Sequence, residues 1–242
     1  MRLDVYLAER GFCASRTAAA RLIEAGGASV NGKTAKKPSL SVSEDDEISV
    51  IEEKQLKYVG RGGLKLERAI EVFRIGLSGK ICIDVGASTG GFTDCMLQNG
   101  AERVYAVDVG TAQLAEKLKN DPRVISLEQT DVREFSLEQP ADFIGADTSF
   151  ISQKLILPHI FRLLKNGGEA VVLIKPQFEV GKKSLLTKKG IVRDEGLRLK
   201  IVEEVKAFAK QCGFECIGCE TSPIKGGDGN IEYLLGLRKD KI

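Results

Sequence analysis

The stretch "IDVGASTGGFTD", Ile83 to Asp94, is the one whose reading decides the fold. Apolar residues run up to Asp84, then Gly86, Gly90 and Gly91 follow, and the next residues open a helical pattern. A strand that ends in a glycine turn and leads into a helix is a basic unit of an open α/β sheet. Working outward, "KICIDVG", "RVYAVDVG", "VISLEQTDV", "DFIGADTSF" and "AVVLIKPQF" are apolar runs of strand length. Helix-like segments, "GGFTDCMLQNG", "TAQLAEKLKN" and "SQKLILPHIFRLLKNGG", lie between most of them. Continuous apolar strands alternating with helices predict a parallel sheet covered on both faces. An amphipathic helix, "RGGLKLERAIEVFRIG", precedes this set. Another, "DEGLRLKIVEEVKAFAKQCG", follows it and leads to "FECIGCETSP" and "NIEYLLGLR", two strands close enough to pair as a hairpin. The expected class is α/β, with a mostly parallel sheet and an antiparallel C-terminal hairpin.

The first 53 residues have a different texture. "RLDVYLAER" has helical spacing and stops at Gly11; Ser15 is a good N-cap for a second helix, "RTAAARLIEAG". Asn31-Gly32 sits between short strands, a strong hairpin signal, and "DEISVI" is a last strand. This predicts a small α+β domain over residues 1–53, a linker over 54–60 and the sheet domain over 61–242. The segment "RLDVYLAERGFCASRTAAARLIEAGGASVNGKTA" resembles the αL-type RNA-binding domain. Charge placement agrees with that resemblance. Residues 1–40 carry seven basic side chains (Arg2, Arg10, Arg16, Arg21, Lys33, Lys36, Lys37) against Asp4, Glu9 and Glu24, a local excess of four positive charges. Such a stripe tracks phosphates without reading sequence. The acidic run Glu44 to Glu47 is read as a solvated loop facing away from RNA.

Bulk numbers narrow the classes. The 242 residues are 43% hydrophobic and 29% charged, a globular composition, and the net charge of +2 leaves any nucleic-acid signal to local distribution. No apolar run approaches the roughly 18 residues of a membrane span. The start, "MRLDVYLAERGF", carries acids where a signal peptide would be apolar, and the six cysteines lack the density of a disulfide framework. A cytoplasmic protein with reduced thiols is expected. Cys212, Cys216 and Cys219 have no obvious fourth ligand, and the lone His159 lies among large apolar residues, so no metal is expected.

The glycine turn selects among ligands. A P-loop needs a lysine after its second glycine, and here Gly91 and Phe92 stand instead. The dinucleotide pattern fails on the spacing Gly86-x-x-x-Gly90. That spacing after Asp84 resembles the S-adenosylmethionine motif. Glycines let the backbone approach such a ligand, and carboxylates take its ammonium and hydroxyls. Asp108, at the end of the second strand, suits a ribose diol; Asp131, after the third, suits an adenine amino group. Their neighbours Val109 and Val132, with Ser88 in the turn, complete the candidate cofactor set.

Methyl transfer to a ribose hydroxyl also needs a base, and a lysine serves only when neutral. Lys175 ends the strand "AVVLIKPQF", Asp147 ends the strand before it, Lys65 lies on the first helix of the sheet domain and Glu232 in the final hairpin. This order resembles the Lys-Asp-Lys-Glu tetrad of the FtsJ-like ribose 2′-O-methyltransferases. With the N-terminal module, the whole chain resembles the TlyA family, labelled both hemolysins and ribosomal RNA 2′-O-methyltransferases, through "YVGRGGLKL", "DVGASTGGFTD", "ADTSFIS", "LIKPQFE" and "GNIEYLL". The resemblance implies a cytidine ribose of ribosomal RNA as acceptor, ribosomal subunits as partners and Lys175 as base. It also implies that Asp147 and Glu232 hold the lysines, while Lys65 supplies positive potential. Arg61 and the basic loop with Lys182, Lys183, Lys188 and Lys189 join the candidate RNA contacts. Two other classes stay open: a membrane-active hemolysin, and an RNA-binding assembly factor without activity.

Overall fold

A computed structural model describes residues 1–13, 15–24, 26–50, 57–181, 186–187, 190–226 and 229–240, without the side chains of residues 21 and 24. The chain forms two compact units, Met1–Arg61 and Gly62–Ile242. The division falls one residue past the start expected for the sheet domain, and residues 51–56 lie outside the described residues.

In the first unit, α1 (Leu3–Glu9) and α2 (Arg16–Glu24) pack through Leu3, Leu7, Ala19, Leu22 and Ile23, all buried. Leu3 and Leu7 are four residues apart and share one helix face. Ser15 Oγ accepts the Ala18 N–H at 3.1 Å and so caps α2. Strands β1 (Ala28–Val30) and β2 (Lys33–Thr34) are joined through Asn31 and Gly32, with φ of 51° and 73°. Two successive left-handed residues are what a two-residue hairpin turn requires. Strand β3 (Ile48–Val50) pairs with the other side of β1, giving the order β2-β1-β3. Glu44, Asp45 and Glu47 are exposed, as a solvated loop would be, and the run also makes contacts within the module. Glu44 Oε1 is 2.6 Å from Arg10 Nη2, and Asp46 accepts from Asn31 Nδ2 at 2.6 Å and from the Ser43 N–H at 2.8 Å. Short reach and opposite charge fold the run back onto the module.

The second unit begins with α3 (Gly62–Phe73) and contains a seven-stranded sheet. Its strands are β4 (Ile81–Val85), β5 (Arg103–Val107), β6 (Val124–Leu127), β7 (Ala141–Ala146), β8 (Leu164–Ile174), β9 (Phe214–Thr221) and β10 (Tyr233–Lys239). The spatial order is β6-β5-β4-β7-β8-β10-β9. The first five are parallel; β10 runs antiparallel between β8 and β9. Residues of the two central strands, such as Ile83, Val85, Ile144 and Ala146, are fully or nearly fully buried. The chain runs outward from β4 through β5 to β6, then returns to β7 on the other side of β4. Loops leaving β4 and β7 therefore diverge, and the crevice between them is the topological switch point where open sheets bind ligands.

Helices α4 (Gly91–Gln98), α6 (Gln153–Leu163) and α8 (Glu195–Gln211) match the expected segments, with a short α7 (Pro176–Glu179) after β8. Two expectations need correction. The segment "TAQLAEKLKN" keeps only one helical turn, α5 (Glu116–Lys119). Glu128 Oε2 takes the Ala112 N–H at 2.7 Å and Ala112 has a φ of 51°, so the backbone before α5 is held as a loop. Residues Leu164 to Gly168, read as the end of α6, belong to β8, where Leu164 pairs with Ala141. The pairing with a sheet neighbour overrides the local helical pattern.

Candidate active site

The turn after β4 is shaped by two glycines. Gly86 has φ +79°, and a Cβ there would stand 2.9 Å from the Asp147 carbonyl oxygen. Gly90, the N-cap of α4 with φ +95°, would drive a Cβ into Leu118. Asp84 is the next-to-last residue of β4 and is fully buried. Its Oδ2 accepts both the N–H and the hydroxyl of Thr93 in the first turn of α4, at 2.8 and 2.7 Å. Its Oδ1 has no hydrogen-bond partner among the described residues. Burial pushes this carboxyl up to about 7; the Thr93 hydrogen bonds oppose the rise, and Asp147 and Asp108 add to it.

Two adjoining cavities open at the switch point. One of about 490 Å³ is lined by Val107, Asp108, Val109, Asp131, Val132 and Ile156, among others. The other, about 200 Å³, is lined by Asp84, Gly91, Phe92 and Lys175, among others. Both are bordered by Gly86, Ser88, Asp147 and Ser149. Asp108 is not a free carboxylate. Its Oδ2 takes the Ser88 N–H at 2.8 Å and its Oδ1 the Gly110 N–H at 2.7 Å, so it ties two loops together. Each oxygen keeps a second lone pair, and Asp108 lines the larger cavity. Asp131 reaches the cavity, but Arg133 holds it through Nε at 3.0 Å and Nη2 at 2.6 Å. That guanidinium, two residues on, lowers the Asp131 pKa and competes with any other donor. Val109 is 71% exposed, an apolar side chain at the cavity mouth.

The structure brings Lys65, Asp147, Lys175 and Glu232 together from α3, the end of β7, the end of β8 and the residue before β10. Lys65 Nζ lies 2.7 Å from Glu232 Oε2 and 3.2 Å from Asp147 Oδ2. Lys175 Nζ lies 2.6 Å from Asp147 Oδ1. Lys65, Lys175 and Glu232 are all at most 8% exposed. Burial by itself would lower the Lys65 pKa, but the charges of Asp147 and Glu232 reverse the effect and raise it. Burial would likewise raise Asp147, yet Lys65 and Lys175 bring it below its ordinary value. Asp147 is therefore an anion shared by two lysine nitrogens, and Lys65 is a held cation.

Several groups here, though Thr148, Ser149 and Phe150 lie in the segment "ADTSFIS", were assigned no role from sequence. Ser149 Oγ accepts from Lys175 Nζ at 2.8 Å, and Phe150 is 89% exposed with its ring 5.0 Å from that of Phe178. Buried Gln153 donates through Nε2 to Thr148 Oγ1 at 3.1 Å and to the Leu173 carbonyl at 2.9 Å. These residues are polar or aromatic without periodicity, so only the loop's path joins them to Lys175.

The basic candidates of the first unit divide. Lys33, Lys36 and Lys37 are exposed. Arg2 and Arg16 both reach buried Asp4, Arg2 through two nitrogens, all at 2.9 Å. Arg10 is engaged by Glu44, and Arg61 is half-buried beside Gly26. The Arg21 side chain and Lys182, Lys183, Lys188 and Lys189 lie outside the described residues.

Fold and site define a Rossmann-like methyltransferase. Comparison with known proteins agrees. The sequence profile of the FtsJ-like methyltransferase family matches residues 58–239, and that of the S4 domain matches residues 1–48. A Bacillus subtilis protein named as an rRNA methyltransferase, YqxC, is 47% identical, over 98% of this chain and 85% of its own. Hemolysin A of Brachyspira hyodysenteriae is 45% identical over 97% and 98%. The 16S/23S rRNA (cytidine-2′-O)-methyltransferase TlyA of Mycobacterium tuberculosis is 42% identical over 98% and 89%. A solved structure from Streptococcus thermophilus, named as a hemolysin, superimposes with a TM-score of 0.77 at 45% identity, covering 99% of this chain and 88% of that one. The chain belongs to the TlyA family of FtsJ-like methyltransferases, with an N-terminal S4 domain.

Proposed function

We propose that this chain transfers a methyl group from S-adenosylmethionine to the 2′-hydroxyl of a cytidine in ribosomal RNA, with a ribosomal subunit as substrate, in the cytoplasm. The observation that carries the reading is the linked set Lys65, Asp147, Lys175 and Glu232 at the carboxyl ends of the strands, beside the cavities of the switch point. The names of the Mycobacterium tuberculosis and Bacillus subtilis relatives support the RNA acceptor. The S4 domain, with exposed Lys33, Lys36 and Lys37, supports electrostatic RNA binding.

The site fits the donor. Asp84, with its unpartnered buried Oδ1, and the turn Gly86 to Gly91 would hold the charged amino-acid end. Asp108 would take the ribose diol, and Val109, Asp131 and Val132 would line the adenine. When bound, S-adenosylmethionine supplies a methyl group on a positively charged sulfur. Lys175 takes the proton of the acceptor hydroxyl. Asp147 holds Lys175 at the acceptor, and Lys65, kept cationic by Asp147 and Glu232, offsets negative charge developing on the oxygen.

Tritiated-methyl transfer to isolated ribosomal subunits tests this, with Lys175→Ala as control. The wild type should label RNA, and the variant should bind donor but lose labelling. Donor binding without any RNA labelling by the wild type would overturn the enzymatic reading. Some similar proteins carry the name hemolysin, among them those of Brachyspira hyodysenteriae and Streptococcus thermophilus. Among the described residues no helix is long and apolar enough to cross a membrane. Dye release from lipid vesicles at low protein concentration would favour a lytic role.

A further inference from the structure

Among the described residues Lys175 Nζ touches two polar groups: it forms an ion pair with Asp147 Oδ1 at 2.6 Å and donates a hydrogen bond to Ser149 Oγ at 2.8 Å. An amine acting as a base has two N–H bonds and one lone pair at roughly tetrahedral angles. If both N–H bonds are committed, the direction of the lone pair is set. We propose that Ser149 is a positioning residue that, together with Asp147, aims the lone pair of Lys175 at the acceptor hydroxyl. This rests on the reading of Lys175 as the base. With Asp147 alone, two staggered rotamers about the Cε–Nζ bond keep an N–H toward Asp147, and they differ in where the lone pair points; the serine oxygen, as an acceptor, selects one of them.

Two further features support the assignment. Ser149 borders both cavities of the switch point, beside the space proposed for the donor. Its position is also built. Gln153 Nε2 bridges Thr148 Oγ1, one residue before Ser149, and the carbonyl of Leu173, two residues before Lys175. One buried amide thus clamps the serine loop and the lysine strand to each other. The loop then turns through Phe150, which holds a left-handed φ of 65°. Strain of that kind persists where surrounding contacts over-determine the backbone.

The proton step balances simply. The acceptor O–H bond breaks, its proton forms the third N–H bond of Lys175, and the oxygen keeps the electron pair for the bond to carbon. The ammonium of Lys175 later returns the proton to solvent. A lone pair turned away from the hydroxyl leaves this step without its acceptor, and a misplacement of about 1 Å costs on the order of 100-fold in rate.

The test compares Ser149→Ala, Ser149→Thr and Lys175→Ala in the full chain, with ribosomal subunits as acceptor. Single-turnover methyl transfer, donor affinity by calorimetry and the melting temperature are measured for each. Ser149→Ala should lower the transfer rate about 10- to 100-fold, with donor affinity within twofold of wild type and an unchanged melting temperature. Ser149→Thr, which keeps the hydroxyl, should restore most of the rate. A full rate in Ser149→Ala while Lys175→Ala is inactive would overturn the assignment and leave the base standing. Loss of donor affinity at an unchanged rate would make Ser149 a donor contact instead. A lowered melting temperature without rescue by threonine would make its role structural. Activity of Lys175→Ala would remove the base itself, a result separable from the others.

Discussion

Replacing Glu232 by glutamine should destabilise the sheet unit by about 3 kcal/mol, whatever it does to activity. Glu232 is 3% exposed and Lys65 8%, and their charged atoms are 2.7 Å apart. Glutamine keeps the shape and an acceptor oxygen but removes the charge. Breaking a buried ion pair by removing one partner costs ~3–5 kcal/mol, because the other charge stays buried. Here Asp147 Oδ2 remains 3.2 Å from Lys65, which places the cost at the lower end. For a unit spanning residues 62–242, each kcal/mol shifts the melting temperature by about 2–4 °C, so the transition should fall by about 6–12 °C. Scanning calorimetry of the full chain at pH 7 reads this directly. Lys65→Met and the double variant complete a cycle. Because the loss comes from an unpaired charge, the double variant should lose less than the sum of the singles, with a coupling of about 1–3 kcal/mol. The raised pKa of Lys65 keeps it protonated below its ordinary value of 10.5, so the result should hold from pH 6 to 9. A shift under about 2 °C, or strict additivity in the cycle, would refute the argument.

Three further outcomes are expected. Because burial raises the folded-state pKa of Asp84 to about 7 from 3.8, the folded form binds its proton more tightly; stability without donor should fall as pH rises from about 4 to about 7. Donor affinity should rise over the same window as Asp84 ionises, and Asp84→Asn should flatten both trends; equal donor affinity at about pH 5.5 and about pH 8 would count against it. Asp4→Asn should release Arg2 and Arg16 for phosphate contacts and steepen the salt slope of RNA binding by about 1–2, read by titration at several ionic strengths. A slope equal to wild type would confine Asp4 to a structural role. Gly86→Ala adds a Cβ 2.9 Å from the Asp147 carbonyl oxygen at a left-handed φ, a conformation costing about 1–2 kcal/mol before the clash; calorimetry should show donor affinity reduced at least about tenfold.

Much of the fold is legible in the sequence because it is written in local period. Strands such as Ile81–Val85 and Ala141–Ala146 are buried on both faces and read as continuous apolar runs. The hairpin at Asn31-Gly32 needs two left-handed residues, and few residue pairs supply them. Where local signal and sheet pairing conflict, the sheet decides, as at Leu164–Gly168. The loop before Glu116 was equally hidden, since it depends on a carboxylate from Glu128, sixteen residues from Ala112.

The candidate site is legible in part, for a related reason. Acids and lysines at strand ends mark positions, and a parallel sheet brings all its carboxyl ends to one edge. Asp84, Asp108, Asp147 and Lys175 follow from that rule alone. What each carboxylate does there is a matter of partners. Asp84 leaves one oxygen without a partner among the described residues because Thr93 takes only the other; Asp108 serves two backbone loops; Asp131 is claimed by Arg133. Lys65 and Glu232 stand 167 residues apart in the chain, yet their charged atoms meet at 2.7 Å in the buried part of the site. The sequence by itself determined the strand order of chemistry, the glycine turn and the basic N-terminal module, because those depend on residue type and short spacing. Only the tertiary structure decided that Lys65 is a held cation, that Asp147 is shared, and that Ser149 rather than a second acid completes the contacts of Lys175. Those outcomes depend on distances across the sheet edge, where a shift of one ångström exchanges one partner for another.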